Sequence, residues 1–435
     1  MKTAVLLAVL ISLACGFVHG QAQEKVLWTF TGTPDGWGHK SKLVLDNHGN
    51  LYGTTLGGGT VLTQECGEES GCGMVYELSP LPDGTWTEKI IYSFCNANND
   101  YTCPDGEGPW GGLAIDKSGN LYGTTQGGGA NAGGVVFELT PPSIQGGPWT
   151  ESVLYNFCSD KIGSECVDGQ WPASDLILDE QGNLYGTTAD GGTGHISSNI
   201  AGAGTVFVLT RKASGWTHTV LYSFCSQGQG HHCPDGAYPN GGVTLREGTL
   251  YGVTAAGGTS DYYGGTVYEL SRGSAGWTET VIYNFTSSIG GYNPEGQLSF
   301  GFGGELFGTV YYGGANGLGA VFRLGEGGAY GDVAPATGRG PASGMLIDPE
   351  HKVLYGTTIG GGNNFGGTVF QVSASGEATT LYAFCSQLNC IDGSEAGSGL
   401  IEDASGNLYG TTVAGGTQTG FCVDGGCGVV YEIIP

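Results

Sequence analysis

Positive charge is scarce in this chain. Its 435 residues hold 14 Lys and Arg against 40 Asp and Glu, a formal net charge of −26. A surface of that sign repels phosphate backbones, so nucleic acid and anionic membrane are excluded as expected partners. Long apolar runs are missing as well. Ala4–Ala14 follows one early Lys and leads to small residues at Gly20 and Ala22. It reads as a secretory signal peptide over residues 1–22 and is too short to span a membrane. Helical periodicity is absent, as are Ser-His-Asp spacing, a phosphate loop and an HExxH string. No loop is dense enough in carboxylates to give calcium its usual about six to eight oxygens, so no metal and no cofactor is expected.

Glycine, at 86 residues, is abundant, and so is repetition. One phrase returns seven times: Leu51–Thr55 (LYGTT), Leu121–Thr125, Leu184–Thr188, Leu250–Thr254, Leu306–Val310, Leu354–Thr358 and Leu408–Thr412. A run such as Leu113–Asp116 precedes it across a Gly-Asn turn, and a run such as Met74–Leu78 or Val135–Leu139 follows a Gly-Gly loop. All alternate β-branched or aromatic residues with polar ones, which predicts strands. A fourth run (Ile90–Phe94, Val153–Phe157, Val220–Phe224, Val281–Phe285) follows a Trp: Trp86, Trp149, Trp216 or Trp277. One more copy, Val26–Phe30, stands alone before the first unit, while the chain ends on a third run. These features predict an all-β fold, a seven-bladed β-propeller of four-stranded antiparallel blades over residues 23–435. Strand 26–30 would join the last blade and close the ring, leaving no open sheet edge. The fourth run is degenerate between Leu324 and Gly344, so blade 5 is expected to be irregular. A β-solenoid is the alternative, with a repeat too long for one coil.

The string G-N-L-Y-G-T-T…G-G…G-x-V-[FY]-x-L resembles the Gloeo-Verruco (GloVer) repeat of secreted bacterial proteins, over about residues 26–435. It is less closely similar to kelch repeats. The fourth and fifth copies depart from the string (LYGVT, LFGTV), and the resemblance implies no catalytic residues.

Beyond Cys15, twelve cysteines fall in close couples: Cys66 and Cys72, Cys95 and Cys103, Cys158 and Cys166, Cys225 and Cys233, Cys385 and Cys390, Cys422 and Cys427. Where the first member is missing, after Phe30 and Phe285, so is the second. That joint absence predicts six local disulfides and a secreted protein. Zinc is the alternative, without the usual CxxC doublets. Both loop classes that carry cysteine emerge on one face of a propeller.

The same loops repeat an Asp-Gly (Asp35, Asp105, Asp168, Asp235, Asp392), either a turn device or a ring of carboxylates for sugar hydroxyls or calcium. Beside them stand Trp37, Trp110, Trp171, Tyr238 and Tyr292, which can stack on sugar rings or plug gaps between blades. Residues that break the repeat are the catalytic candidates: His39, Lys42, Asp175, Glu295, Arg339 and His232. Asp175 and Glu295 would serve as acid and base in glycoside hydrolysis, whereas Lys42, Arg339 and a His would suit a uronate lyase. The expected function is extracellular binding, of glycan foremost or of a protein ligand, by a monomer. A polysaccharide hydrolase or lyase and a structural, adhesive surface protein are the alternatives.

Overall fold

The computed structural model describes residues 22–435 except 64–65, 68–69, 97–101, 145, 173, 198–199, 228–232, 260–263, 287–289, 336, 363, 419–421 and 423–424. The expected signal segment, through residue 21, and His232 lie outside the described residues.

Seven antiparallel sheets form the seven blades. Blade 1 is typical, with strands Val44–Leu45, Leu51–Thr55, Met74–Pro80 and Trp86–Ser93 in spatial order. The second strand is the LYGTT phrase, and in blades 1 and 2 all five of its residues are buried. Its glycine is fixed by crowding: a Cβ on Gly123 would stand 2.5 Å from Phe137 Cζ, and one on Gly186 2.7 Å from Phe207 Cζ. A ring of the third strand lies across the second strand, and no side chain can share the space.

The turn before LYGTT is organised by its Asp. In blade 2, Asp116 Oδ1 accepts from the Ser118 and Asn120 amides, and Oδ2 accepts from the Asn120 side chain and the Tyr122 hydroxyl. Asp46, Asp179 and Asp403 repeat the pattern. The Trp before the fourth strand joins blades. Trp149 meets Tyr52 edge-on at 5.9 Å, Trp216 meets Tyr122 at 6.1 Å and Trp86 meets Tyr409 at 6.4 Å, each Tyr belonging to the preceding blade.

The ring closes as expected. Gln23–Thr29 pairs antiparallel with Val429–Ile434, from Gln23 opposite Ile434 to Thr29 opposite Val429, and is the fourth strand of blade 7. Blade 5 corrects an expectation. Its degenerate segment forms a full fourth strand, Tyr330–Pro335, against Ala320–Leu324. The irregularity sits in its first strand, Tyr292–Phe300, which shifts register between Glu295 and Ser299. No helix among the described residues is long and apolar enough to cross a membrane.

Candidate functional site

All six cysteine couples are disulfides. Cys66 is bonded to Cys72, Cys95 to Cys103, Cys158 to Cys166, Cys225 to Cys233, Cys385 to Cys390 and Cys422 to Cys427. They lie in the loops that leave the second and fourth strands, all at one end of the ring. In blade 1 two bridges touch, the sulfurs of Cys66, Cys72, Cys95 and Cys103 lying within 4.8 Å of one another. Paired sulfurs offer no thiolates, so this cluster is no zinc site as it stands.

The Asp-Gly carboxylates on this face are structural. Asp105 Oδ2 accepts from the Tyr92 hydroxyl at 2.7 Å and the Asn96 amide at 3.0 Å. Asp168, Asp235 and Asp392 bind Tyr155, Tyr222 and Tyr382 likewise, and Asp35 accepts from Trp28 and Thr31. The turn reading of these residues is the one the geometry follows. Against each Asp the next blade sets one residue of its outer strand. Glu88 faces Asp35, Glu151 faces Asp105, His218 faces Asp168, Glu279 faces Asp235 and Glu24 faces Asp392. Among the described residues no donor reaches Oε1 of these four glutamates, nor Oδ1 of Asp105, Asp168 or Asp235. Burial, and then the neighbouring Asp, push each of the four glutamates up to about 7. Burial pushes His218 down to about 4. These junction residues were not singled out in the sequence, although a Glu recurs at one position of the fourth strand.

The segments leading into the first strands share one register. Its first position pairs across to the end of the second strand: Trp37 with Gly57, Glu107 with Gly127, Gln170 with Asp190, Tyr292 with Tyr312, Arg339 with Gly360 and Ser394 with Ala414. The third position is Pro109, Pro172, Pro239, Pro294 and Pro341 in blades 2 to 6, and His39 in blade 1. Each Pro packs beneath a glycine of the preceding blade, as Pro109 Cδ does 2.5 Å from a Cβ built on Gly73. His39 fills the same slot under Gly428, fully buried and stacked on Phe30 at 3.7 Å. Burial lowers its pKa to about 3. His39 is therefore a packing residue between blades 7 and 1, and the repeated Pro was the signal for it.

The fourth and sixth positions line a funnel of about 590 Å³ on the ring axis. At the sixth, blades 1, 3 and 5 carry Lys42, Asp175 and Gln297, while Gly112, Gly242, Gly344 and Gly399 occupy the other four. Each side chain folds toward the preceding blade. Asp175 Oδ1 accepts from the Gly112 amide at 2.6 Å, Gln297 Nε2 donates to the Val243 carbonyl at 2.6 Å, and the Lys42 stem lies against Gly399. A ring this tight admits a side chain at about every second blade. The fourth position gives the wall: Lys40 and Trp110 on blades 1 and 2, Asn240 and Glu295 on blades 4 and 5. The Lys40 ammonium sits 4.7 Å from the centre of the Trp110 ring. Glu295 accepts from Asn293 Nδ2 at 2.9 Å. Burial raises its pKa, and Asn293 and Lys40 oppose the rise. Tyr311 and Tyr312 extend the wall, and Tyr312 stacks on Tyr292 at 5.2 Å.

Lys42, Asp175, Glu295 and Trp110 thus meet in one cavity, joined by Lys40, Tyr311 and Tyr312. The five aromatics do not form one ring, because they occupy three registers. Trp37 and Tyr292 stand at the first position, and Trp37 Nε1 donates to the Ser70 carbonyl. Trp171 and Tyr238 stand at the second, both at positive φ, with Trp171 47% exposed on the rim. Arg339 is exposed and lies outside the funnel lining. Among the described residues the lyase set of Lys42, Arg339 and a His is therefore not assembled.

Residues 17–232 and 202–423 match the Gloeobacter/Verrucomicrobia repeat. The chain belongs to that repeat family. Among solved structures, this Gloeobacter/Verrucomicrobia repeat protein is similar to the extracellular domain of a hybrid two-component system from B. thetaiotaomicron. The TM-score is 0.51 at 10% identity, covering 91% of this chain and 40% of that one. It is also similar to puromycin hydrolase, with a TM-score of 0.52 at 11% identity over 89% of this chain and 54% of that one. The chain thus spans about half or less of either relative, and at such identity the likeness shows the fold alone. No curated protein matches the sequence.

Proposed function

We propose that this repeat protein is an extracellular glycan-binding protein and that the funnel is its site. The observation that carries the reading is the wall of that cavity, where the sevenfold repeat fails and where Trp110, Tyr311 and Tyr312 stand among Lys, Asn, Gln and carboxyl groups. Aromatic faces with convergent polar groups suit sugars, whose rings are apolar on one side and hydroxyl-bearing at the edge. The six disulfides support an oxidising, extracellular setting and stiffen the loops around the mouth.

A second reading, a glycoside hydrolase, draws on Glu295. Its carboxyl is raised by burial in the same cavity as Asp175, and a raised carboxyl can hold the proton a general acid must deliver. Incubating the purified protein with a polysaccharide panel separates the two. Retention without cleavage supports binding, and new reducing ends support the hydrolase. Absence of both, with Trp110→Ala indistinguishable from wild type, defeats the two together.

A further inference from the structure

Taking the funnel as the glycan site, we infer that its ligand is an anionic sugar, bound as a chain end or short oligomer, with its carboxylate or sulfate between Lys40 and Lys42. The two residues lie two apart in the lead-in to blade 1, and their side chains reach opposite ways along the wall, Lys40 to Trp110 of blade 2 and Lys42 to Gly399 of blade 7. Both line the cavity, and among the described residues neither ammonium enters a salt bridge or donates a hydrogen bond. Both are also held in place. The Lys40 ammonium lies over Trp110, and the Lys42 stem rests on Gly399, with Cγ and Cδ 3.3 Å from a Cβ built there.

Three other polar side chains of the funnel are engaged within the protein. Asp175 Oδ1 accepts from the Gly112 amide, Glu295 accepts from Asn293, and the Gln297 amide donates to Val243. Gln126, Asn240 and the Tyr311 and Tyr312 hydroxyls are left to meet neutral hydroxyls, and the cations among the lining residues are these two lysines. Inside a narrow cleft the field of the two ammonium groups, offset in part by the Glu295 and Asp175 carboxyls, is focused and weakly screened, which favours an anion at the lysines. Outside it the chain carries −26, so a long polyanion laid across the face would be repelled. Only an end or a short oligomer brings its charge to the two lysines without passing that surface. Trp110 and the Tyr311–Tyr312 pair then offer apolar faces to the ring that bears the charge.

Calorimetric titration tests this with three probes: trigalacturonate, cellotriose, and cellotriose sulfate. The proteins are wild type, Lys40→Met, Lys42→Met, Lys42→Arg, and Lys117→Gln in the turn at the opposite end. Methionine keeps the stem that covers Gly399, and thermal melting confirms folding. At least one anionic probe should bind wild type about tenfold more tightly than cellotriose, the tighter of the two naming the anion. Each Met variant should lose about tenfold, the scale of one charged hydrogen bond. Lys117→Gln should bind as wild type, and Lys42→Arg, which keeps the charge, should retain more of the anion affinity than Lys42→Met. If cellotriose binds as well as both anions and the Met variants leave it unchanged, the inference falls while the glycan-binding reading stands. If no probe and no panel polysaccharide binds, both fall.

Discussion

Four blade junctions each bury a Glu against an Asp of the preceding blade, and this makes stability depend on pH in an unusual direction. Glu24, Glu88, Glu151 and Glu279 are each raised from 4.5 to about 7 in the folded protein. A raised carboxyl favours folding fully below the unfolded value of 4.5, and that contribution disappears as pH climbs through 7. A shift of this size in a sealed site would be worth about 3 kcal/mol, and solvent screening of largely half-buried side chains reduces it to about 1–2 kcal/mol each. The four together withdraw about 4–8 kcal/mol between pH 5 and pH 8. His39 and His218 act on the other flank. Lowered to about 3 and about 4, they contribute above 6.5 and lose that contribution as pH falls. Between pH 5 and pH 6.5 the histidines gain about what the glutamates lose, so stability should be nearly flat there and fall above pH 6.5, where only the glutamates of these six still titrate. Replacing the four glutamates by Gln, which is neutral at every pH, should raise melting at pH 8 and flatten the alkaline slope. Calorimetric melting of both proteins from pH 4 to 9 measures it. A wild-type melting temperature that climbs from pH 6.5 to 8, or a Gln variant with an unchanged alkaline slope, would refute the reasoning.

Further outcomes follow from the same contacts. Gly123→Ala puts a methyl against the Phe137 ring and should cost about 1–3 kcal/mol, read by urea unfolding. His39→Pro restores the residue that five other blades carry, so it should fold and leave glycan retention intact; loss of retention would return His39 to the site. Removing the bridge between Cys95 and Cys103 with paired Ala substitutions should cost about 2–3 kcal/mol, seen as a lower melting temperature that reductant no longer shifts at that loop. Deleting residues 22–30 exposes the edge of Val429–Ile434 and should produce dimers or aggregates by light scattering.

The repeat made the scaffold readable: the blades, the closing strand, the disulfide couples and the Asp-Gly turns each recur with one geometry. The funnel was half readable. Lys42, Asp175 and Glu295 were singled out because they interrupt the repeat, and they do reach the axis. His39 interrupts it too, one residue before Lys40, yet points between blades. Which way a side chain turns is set by the register of the lead-in segment, and alternation reverses it at each step. The Pro at the third position marks that register in five blades, and aligning His39 to it would have removed His39 from the catalytic candidates. Trp110, Trp171 and Trp37 looked equivalent beside their Asp-Gly pairs, but they stand at the fourth, second and first positions. The junction glutamates were legible as a recurrent polar residue in an outer strand; their partners were not, since Glu151 and Asp105 are joined by the packing of separate blades.

The seam between Gln23–Thr29 and Val429–Ile434 also imposes a sequence of events. Of the described strands a ribosome makes Gln23–Thr29 first and its partner Val429–Ile434 last. Hairpins of the early blades can form at once from neighbouring residues, but the first strand has nothing to pair with until the seventh blade is made. Closure is thus a late, long-range step whose failure leaves two sheet edges bare. The ring's completion reports that every blade has been built, and an unfinished chain carries its own adhesive ends.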